Sequence, residues 1–354
     1  MFLAFKELKR SKLRYTLLGL IMVAILFLLF FITGLANGLS YADSSSLENL
    51  ATEYAIIDEE SDGAIINSEL APEQADTIQK KLDDKSSPLA ITMSELVGEQ
   101  DDKIGVVYFS VNTEKYPNMG VLEGKDISEL SGNEVIVSES LKKDGYELGD
   151  KIEDKTSGKT MTIAGFIEKQ TYTFLPVIYA DFELGMHKIF TDKPSYNAIV
   201  YTGSKVTIEE YDTMTKEELV KSMPGYTETQ GSFMVMKLFM FIISGFVSTV
   251  FFYVITIQKT SQFGVLKAVG ANTKYIAKSI MIQVVLLTVI SLVFSVLAIT
   301  GMVQVLPEGM PFKTSAALIL STGALFLGLN LAGSLLSVFK VTKIDALEAI
   351  GKVE

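Results

Sequence analysis

Residues that could carry out catalysis are few in this sequence, and the one phosphate-binding fragment among them is incomplete. Gly158-Lys159-Thr160 matches the end of a P-loop, but Glu153 stands where that motif requires its first glycine. The single histidine, His187, cannot form a metal site with a second histidine of the same chain, and the chain has no cysteine. No serine lies in a nucleophile-elbow motif. We therefore predict a β-turn at residues 158–160, no catalytic residues and no metal site.

The elements that organise the chain are hydrophobic blocks. The sequence is 48% hydrophobic with a positive mean hydropathy, and the excess is concentrated in four stretches without a charged residue. A helix of about 20 residues is long enough to cross the ~30 Å hydrocarbon layer of a membrane. Each stretch reaches that length, so we predict a multi-pass membrane protein with four spanning helices. The predicted bounds of the spans are residues 16–38, 233–257, 280–303 and 315–339, where the second extends outward from the charge-free stretch 238–257 past Lys237.

Basic residues give the orientation, because lysine and arginine near helix ends are retained on the cytoplasmic side. Residues 1–15 form a basic amphipathic segment, the connection at 258–279 carries four lysines and no acid, and the tail at 340–354 carries three lysines. We therefore predict that both termini are cytoplasmic and that the chain lies in the cell membrane. The loop at 304–314 and the large segment at 39–232 then lie outside.

The external segment is acidic and long enough to fold as a domain. Between residues 40 and 232 it carries 37 acidic and 17 basic residues, a net charge of −20. This charge disfavours nucleic acid and anionic lipid head groups as ligands of the domain. We expect membrane lipid around the spans and no nucleic acid as a partner. Alternating β-like and helix-like runs predict an α+β domain, with joints to the spans at 39–46 and 224–232. The predicted strands are residues 54–57, 104–111, 134–137, 160–167 and 198–201, and the predicted helices are residues 72–82 and 208–222.

The spans contain no Asp, Glu, Arg or His in their interiors, which argues against a proton relay or an ion-coupled carrier. Energy for transport must then come from another protein. Gly34 and Gly38 lie four residues apart at the outer end of the first span and form a small face that allows close helix packing. Two uses of this face stay open: packing within the chain, or a seam between two copies.

The connection between the second and third spans intersperses lysines with apolar residues, including Val269, a pattern typical of a segment that docks into a groove on a partner. Its sequence, QKTSQFGVLKAVGAN, resembles the signature of FtsX/MacB-type (type VII) ABC permeases. In that family, the end of span two and a short following helix contact the ATPase. The resemblance assigns this contact to Phe263, Gly264, Val265, Leu266, Lys267 and Gly270.

Three further features agree with the family: the basic start, the external domain between spans one and two, and the ending KVTKIDALEAI, although Ala346 stands where proline is common. The resemblance covers the whole chain. It implies four transmembrane helices with a MacB-like core domain between the first two, in a permease subunit that is not an enzyme and has no cofactor of its own. It also implies a homodimer of the permease and a cytoplasmic ABC ATPase subunit that binds ATP.

Within the family, the start MFLAFKELKRSKLRYTL and the segments FITGLANGLS and QFGVLKAVGAN are most similar to a hemin-exporting branch. That similarity implies ATP-driven efflux with heme as the substrate. Hemin requires aromatic surfaces and an axial donor such as tyrosine or methionine. Mechanotransmission to an extracellular partner, and export of a peptide or lipid, remain open alternatives. The candidate heme residues are Tyr172 and Tyr226, carried over from that branch, with Phe174, Phe233, Met234 and Met236.

Overall fold

The computed structural model describes residues 7, 11–82, 86–98, 103–184, 195–307 and 310–342. The chain divides into two compact units, which we call the helical unit (residues 1–38 and 231–354) and the sheet domain (residues 39–230). His187, most of the amphipathic segment predicted at residues 1–15, and the tail from residue 343 onward lie outside the described residues.

All of the described strands lie between the first long helix and the next one, so the sheet domain is inserted between the first two spans. The described helices are α1 Lys12–Glu48, α2 Pro72–Gln79, α3 Lys216–Lys221, α4 Tyr226–Gln258, α5 Thr260–Ala268, α6 Thr273–Val303 and α7 Ala316–Thr342. The described strands are β1 Tyr54–Asp58, β2 Ser86–Val97, β3 Lys103–Val111, β4 Glu123–Gly124, β5 Glu134–Ser138, β6 Lys151–Glu153, β7 Thr160–Ile167, β8 Thr171–Tyr172, β9 Leu175–Asp181, β10 Ala198–Tyr201 and β11 Tyr211–Thr215.

Four of these helices, α1, α4, α6 and α7, are long and apolar enough to cross a membrane, as the sequence predicts. All four are longer than the predicted spans, and α6 begins at Thr273, seven residues before the predicted start at residue 280. Helix α1 continues ten residues past the predicted end at residue 38, and α4 begins at Tyr226, seven residues before the predicted start. The predicted joints at 39–46 and 224–232 are therefore largely helical.

The sheet domain is built on one mixed sheet with the strand order β11-β1-β10-β2-β3-β9-β5-β7-β4. Its central strands are apolar on both faces because both faces are covered. Val107 and Phe109 of β3 belong to one buried cluster, and their neighbours Val106 and Tyr108 belong to a second. This alternation follows from the two-residue period of a strand. The α+β prediction for this domain is confirmed.

One predicted element of the domain is wrong. Residues 208–222 were expected to form a single helix, but the first part forms β11, which pairs with β1. The helix starts only at Lys216, because Thr215 caps it: the Thr215 hydroxyl accepts from the Glu218 N–H at 3.2 Å, and Glu218 accepts from the Thr215 N–H at 2.8 Å. Strand β2 was not predicted, since its serines and Pro88 weaken the strand pattern.

The motif fragment at residues 158–160 ends a hairpin loop and begins β7. Strands β6 and β7 pair as an antiparallel hairpin, and Gly158 lies in the connecting loop with φ = +66°. A residue with positive φ in such a loop is typically glycine because it has no Cβ to clash. The turn itself lies just before the predicted position, at residues 155–157, and the Gly158 N–H closes it by donating to the Asp154 carbonyl at 2.8 Å.

Gly34 and Gly38 lie against the segment that precedes α7. A Cβ added at Gly34 would be 2.3 Å from the Phe312 ring, and one at Gly38 would be 2.2 Å from the Pro311 carbonyl oxygen. The Lys313 N–H also donates to the Gly34 carbonyl at 3.0 Å. The small face is thus used for packing within the chain.

We expect Gly38→Ala to destabilise the helical unit, because its new methyl group meets backbone rather than a movable side chain. Overpacking of this kind costs about 1–3 kcal/mol. Gly328→Ala in α7 is the matched control, since a Cβ there meets no atom within 4 Å. Thermal unfolding of the purified full chain in detergent should show a lower midpoint for Gly38→Ala only. Equal midpoints for the two variants would contradict the close approach.

Candidate functional site

The connection between α4 and α6 is a short helix held at both ends. Helix α5 follows Lys259 directly and ends at Ala268. Gly270 adopts φ = +98°, its N–H donates to the Lys267 carbonyl at 3.0 Å, and the Ala271 N–H donates to the Leu266 carbonyl at 2.8 Å. These two bonds form a Schellman cap. Gly270, predicted to contact an ATPase, therefore has a structural role in ending α5.

Helix α6 begins two residues later, with Asn272 as its N-cap. The Asn272 side chain accepts from the Lys274 N–H at 3.1 Å. The turn between α5 and α6 is therefore fixed by hydrogen bonds from both sides. A fixed turn presents the side chains around it in one arrangement.

The predicted contact residues divide into a buried and an exposed set. Phe263 and Gly264 are buried, and Phe263 packs against Ile276 and Ile280 of α6, with Leu266 partly buried beside them. These residues hold α5 against the helical unit. Lys267 is half-buried.

The exposed set forms the surface that a partner could contact. Val265 is 49% exposed, Val269 is 84% exposed and Tyr275 of α6 is 49% exposed. Lys274 and Lys278 are also exposed. Exposed apolar side chains beside lysines suit a docking surface for a folded protein. Tyr275 was not among the contact residues predicted from the sequence. Its position next to Lys274 in the basic connection was the signal that could have identified it. We call Val265, Val269 and Tyr275 the apolar patch.

Tyr172 lies inside the sheet domain rather than at its surface. It is 1% exposed, and its ring packs edge-on against Phe109 with 5.9 Å between centroids. Burial raises the pKa of the Tyr172 hydroxyl, and the nearby Asp43 carboxylate raises it further. The phenolate form, which binds ferric iron, is therefore disfavoured. Tyr172 has the surroundings of a core residue.

Phe174 lies at a strained hairpin turn next to Tyr172. Strands β8 and β9 are joined by only Thr173 and Phe174, which have φ = +48° and +67°. The turn is held onto α1, where the Thr173 N–H donates to the Asp43 carbonyl at 2.8 Å and the Phe174 N–H donates to the Ala42 carbonyl at 3.0 Å. Phe174 is 53% exposed. A large side chain is thus held at the surface in a conformation that favours glycine.

Tyr226 lies at the start of α4 within the sheet domain. It is half-buried against the cluster that contains Tyr172, and its hydroxyl is 2.7 Å from the Ser40 hydroxyl of α1. Burial also raises the pKa of the Asp43 side chain, whose backbone carbonyl accepts from the Thr173 N–H of the Phe174 turn. Tyr172, Phe174 and Tyr226 are therefore all placed in the sheet domain.

The other three candidates belong to the helical unit. Met234 is 71% exposed and Met236 is 51% exposed, while Phe233 is half-buried. All three lie on α4, where thioether and aromatic side chains are available to an apolar ligand. Within the described ranges, no three His, Asp or Glu side chains come together as metal ligands do.

Comparison with known proteins identifies the class of the helical unit. Residues 234–346 match the sequence model of the FtsX-like permease C-terminal family. This segment covers α5, the apolar patch and the last two spans almost completely. This part of the chain is thus similar to FtsX-like permeases, and the described residues include four helices that are long and apolar enough to cross a membrane.

Its relatives extend this match to the whole chain. A protein of Staphylococcus haemolyticus named as a hemin transport system permease, HrtB, is 28% identical over 99% of both chains. A Staphylococcus epidermidis protein with the same name is also 28% identical over 99% of both chains. Among solved structures, the periplasmic region of MacB from Actinobacillus actinomycetemcomitans aligns with 50% of this chain and 94% of its own at 12% identity and a TM-score of 0.37.

We expect Phe174→Gly and Thr173→Gly each to stabilise the sheet domain, because glycine adopts positive φ without a Cβ clash. The gain should be about 0.5–1 kcal/mol after the greater unfolded-state entropy of glycine is subtracted. Thr162→Gly, in the extended strand β7, is the control and should destabilise. Thermal unfolding of the full chain, followed by the circular dichroism of its sheet, gives the comparison. If both turn variants unfold at a lower temperature than the unmodified chain, the backbone at Thr173 and Phe174 is not strained.

Proposed function

We propose that this chain is the membrane subunit of an ABC exporter and that the apolar patch is the surface through which a separate cytoplasmic ATPase drives it. The observation that carries the proposal is the exposure of Val265, Val269 and Tyr275 on a doubly capped turn. Capping makes the surface rigid, and rigidity lowers the entropic cost of binding. The match of this segment to FtsX-like permeases supports the same use.

The proposal fixes an orientation. The lysine-rich connection and both termini face the cytoplasm, and the acidic sheet domain faces outward. ATP is bound and hydrolysed by an HrtA-like ATPase subunit, while this chain performs no catalysis and holds no cofactor of its own. Two copies of the permease pair with two ATPases, so that nucleotide-driven closure can act on both sheet domains.

We propose hemin as the substrate, supported by the printed names of the relatives and by the chemistry of the candidate residues. Phe174 offers an exposed aromatic face, Tyr226 offers a hydroxyl, and Met234 and Met236 offer thioethers that bind heme iron. Tyr172 supports the turn that carries Phe174, because its buried ring packs in the core directly before that turn.

We expect Val269→Asp to abolish most of the permease-dependent ATP hydrolysis, because a carboxylate on the patch must be desolvated at the interface. A loss of about tenfold or more corresponds to removal of a central contact of an interface. Val305→Asp is a matched control: Val305 is 83% exposed against 84% for Val269, but it follows the opposite end of α6. The assay measures ATP hydrolysis by an HrtA-type ATPase with each variant in nanodiscs.

If the Val269→Asp permease stimulates ATP hydrolysis as the unmodified chain does, the apolar patch is not part of the ATPase contact. Leu266 is a poorer position for this test, because it packs in the cluster with Phe263 and a charge there would also unfold the segment.

We expect Phe174→Ala and Tyr226→Phe to lower hemin tolerance and raise intracellular heme in cells that express the permease with its ATPase. Leu122→Ala is the control for Phe174, since Leu122 is 58% exposed on the same domain. Ser40→Ala is the control for Tyr226, because it removes the same hydrogen bond and keeps the tyrosine hydroxyl.

Tyr172→Ala would not separate ligand binding from folding, because truncating a buried aromatic ring costs about 3–5 kcal/mol. Tyr172→Phe keeps the packing and is the useful variant. If loss of the whole permease leaves hemin tolerance and heme content unchanged, hemin is not the substrate. The substrate is then a peptide or a lipid, or the permease acts on an extracellular protein partner instead of exporting a substrate.

A further inference from the structure

Lys259 lies between α4 and α5, and its backbone belongs to both helices. Its N–H donates to the Ile255 carbonyl at 3.1 Å, as the last residue of α4 would, and its carbonyl accepts from the Phe263 N–H at 2.9 Å. If α5 changes its angle to α4, the backbone of Lys259 must therefore change with it.

The Lys259 side chain is buried, which is uncommon for lysine. It is 7% exposed, and its ammonium group forms an ion pair with Glu7. The ammonium nitrogen also lies 3.5 Å from the Tyr15 hydroxyl and 5.7 Å from the centre of the Tyr15 ring. A buried charge cannot leave its partners without a large desolvation penalty. Lys259 is thereby fixed to the start of the chain and to α1.

Tyr15 extends the contact to α6. Its hydroxyl donates to the Gln283 side-chain oxygen at 2.6 Å, and Gln283 donates to the Ser279 hydroxyl at 3.5 Å. Tyr15 and Gln283 are 4% and 3% exposed. Hydrogen bonds that are shielded from water in this way hold one geometry.

We propose that Lys259, with Glu7 and Tyr15, is the joint that makes α1 move together with α5. The proposal rests on the proposed function, in which the ATPase acts on α5. Lys259 is a positioning residue: it does not contact the ATPase surface, and it transmits displacement because its buried ammonium group carries Glu7 and Tyr15 with it. Helix α1 continues along the chain into the sheet domain, so this joint gives the domain a second mechanical link to α5 besides α4.

The other lysines of the connection have a different environment. Lys274 and Lys278 are exposed, as expected for charges that only set topology. If orientation were the only use of Lys259, an exposed ammonium group would serve equally well. The ammonium group is instead buried against the Glu7 carboxylate and against the hydroxyl and ring of Tyr15. This burial indicates a role in fixing α1 and α5 relative to one another.

The absence of cysteine allows a direct test by spin labelling. Leu13→Cys on α1 and Ser261→Cys on α5 place two labels at exposed positions on either side of the joint. In nanodiscs, the label-to-label distance should show one narrow distribution, unchanged when the ATPase and nucleotide are added. Adding Glu7→Gln and Lys259→Met together removes both charges, so no buried charge is left unpaired.

With this double neutral variant, we expect a broadened distance distribution that changes with nucleotide, and transport lowered about tenfold. Tyr15→Phe, which removes only the hydroxyl contact, should give a smaller broadening, and it replaces the double variant if that variant does not insert. Lys278→Met is the control and should match the unmodified chain. A purely structural ion pair predicts the opposite for the double variant: normal stability together with normal transport.

A narrow distribution and full transport in the double neutral variant would overturn the proposal. Failure of the proposed function has a different signature, since the unmodified chain would then neither bind the ATPase nor stimulate its hydrolysis. The distance distributions of the unmodified and double neutral variants would still differ in that case if the joint exists.

Discussion

The constraint on which this structure depends is the absence of water in the hydrocarbon layer. Backbone groups there must bond within helices, and polar side chains must find partners on neighbouring helices. The chain meets this requirement with short polar residues at helix contacts. Ser291 and Ser295 of α6 donate to the Gly19 and Val23 carbonyls of α1 at 3.3 and 3.0 Å, respectively. These bonds require close helix approach, which the small side chains permit.

The same constraint separates the two kinds of lysine near the membrane. An exposed lysine reaches water along its flexible stem and costs little. Lys259 is enclosed instead, and its charge is acceptable only because Glu7 neutralises it and Tyr15 lies beside it. The interiors of the spans carry no Asp, Glu, Arg or His, and a buried ion pair lies at the start of α5. This agrees with an ABC permease, which has no use for a proton relay inside the membrane.

The sheet domain meets a different requirement, because it must bury a core of its own. Apolar residues on both faces of β3 give it two buried clusters. The one exposed aromatic among the candidates of this domain, Phe174, lies where the backbone is strained and is held to α1 by two hydrogen bonds. Strain at an exposed side chain supports the substrate contact proposed for Phe174, since glycine would be more stable there.

The sequence by itself determined the four spans and the class of the inserted domain, because these follow from hydrophobic block length and residue patterning, and a continuous motif predicted where an ATPase would bind. It did not separate Phe263 from Val269, or Tyr172 from Phe174, since each pair has similar residue types within a few positions. Only the tertiary structure decided which member is buried. It also showed that residues 211–215 form a strand, because pairing with β1 outweighs local helix preference. The Lys259 contacts with Glu7 and Tyr15 join residues that are far apart in sequence, and no local pattern encodes such a meeting.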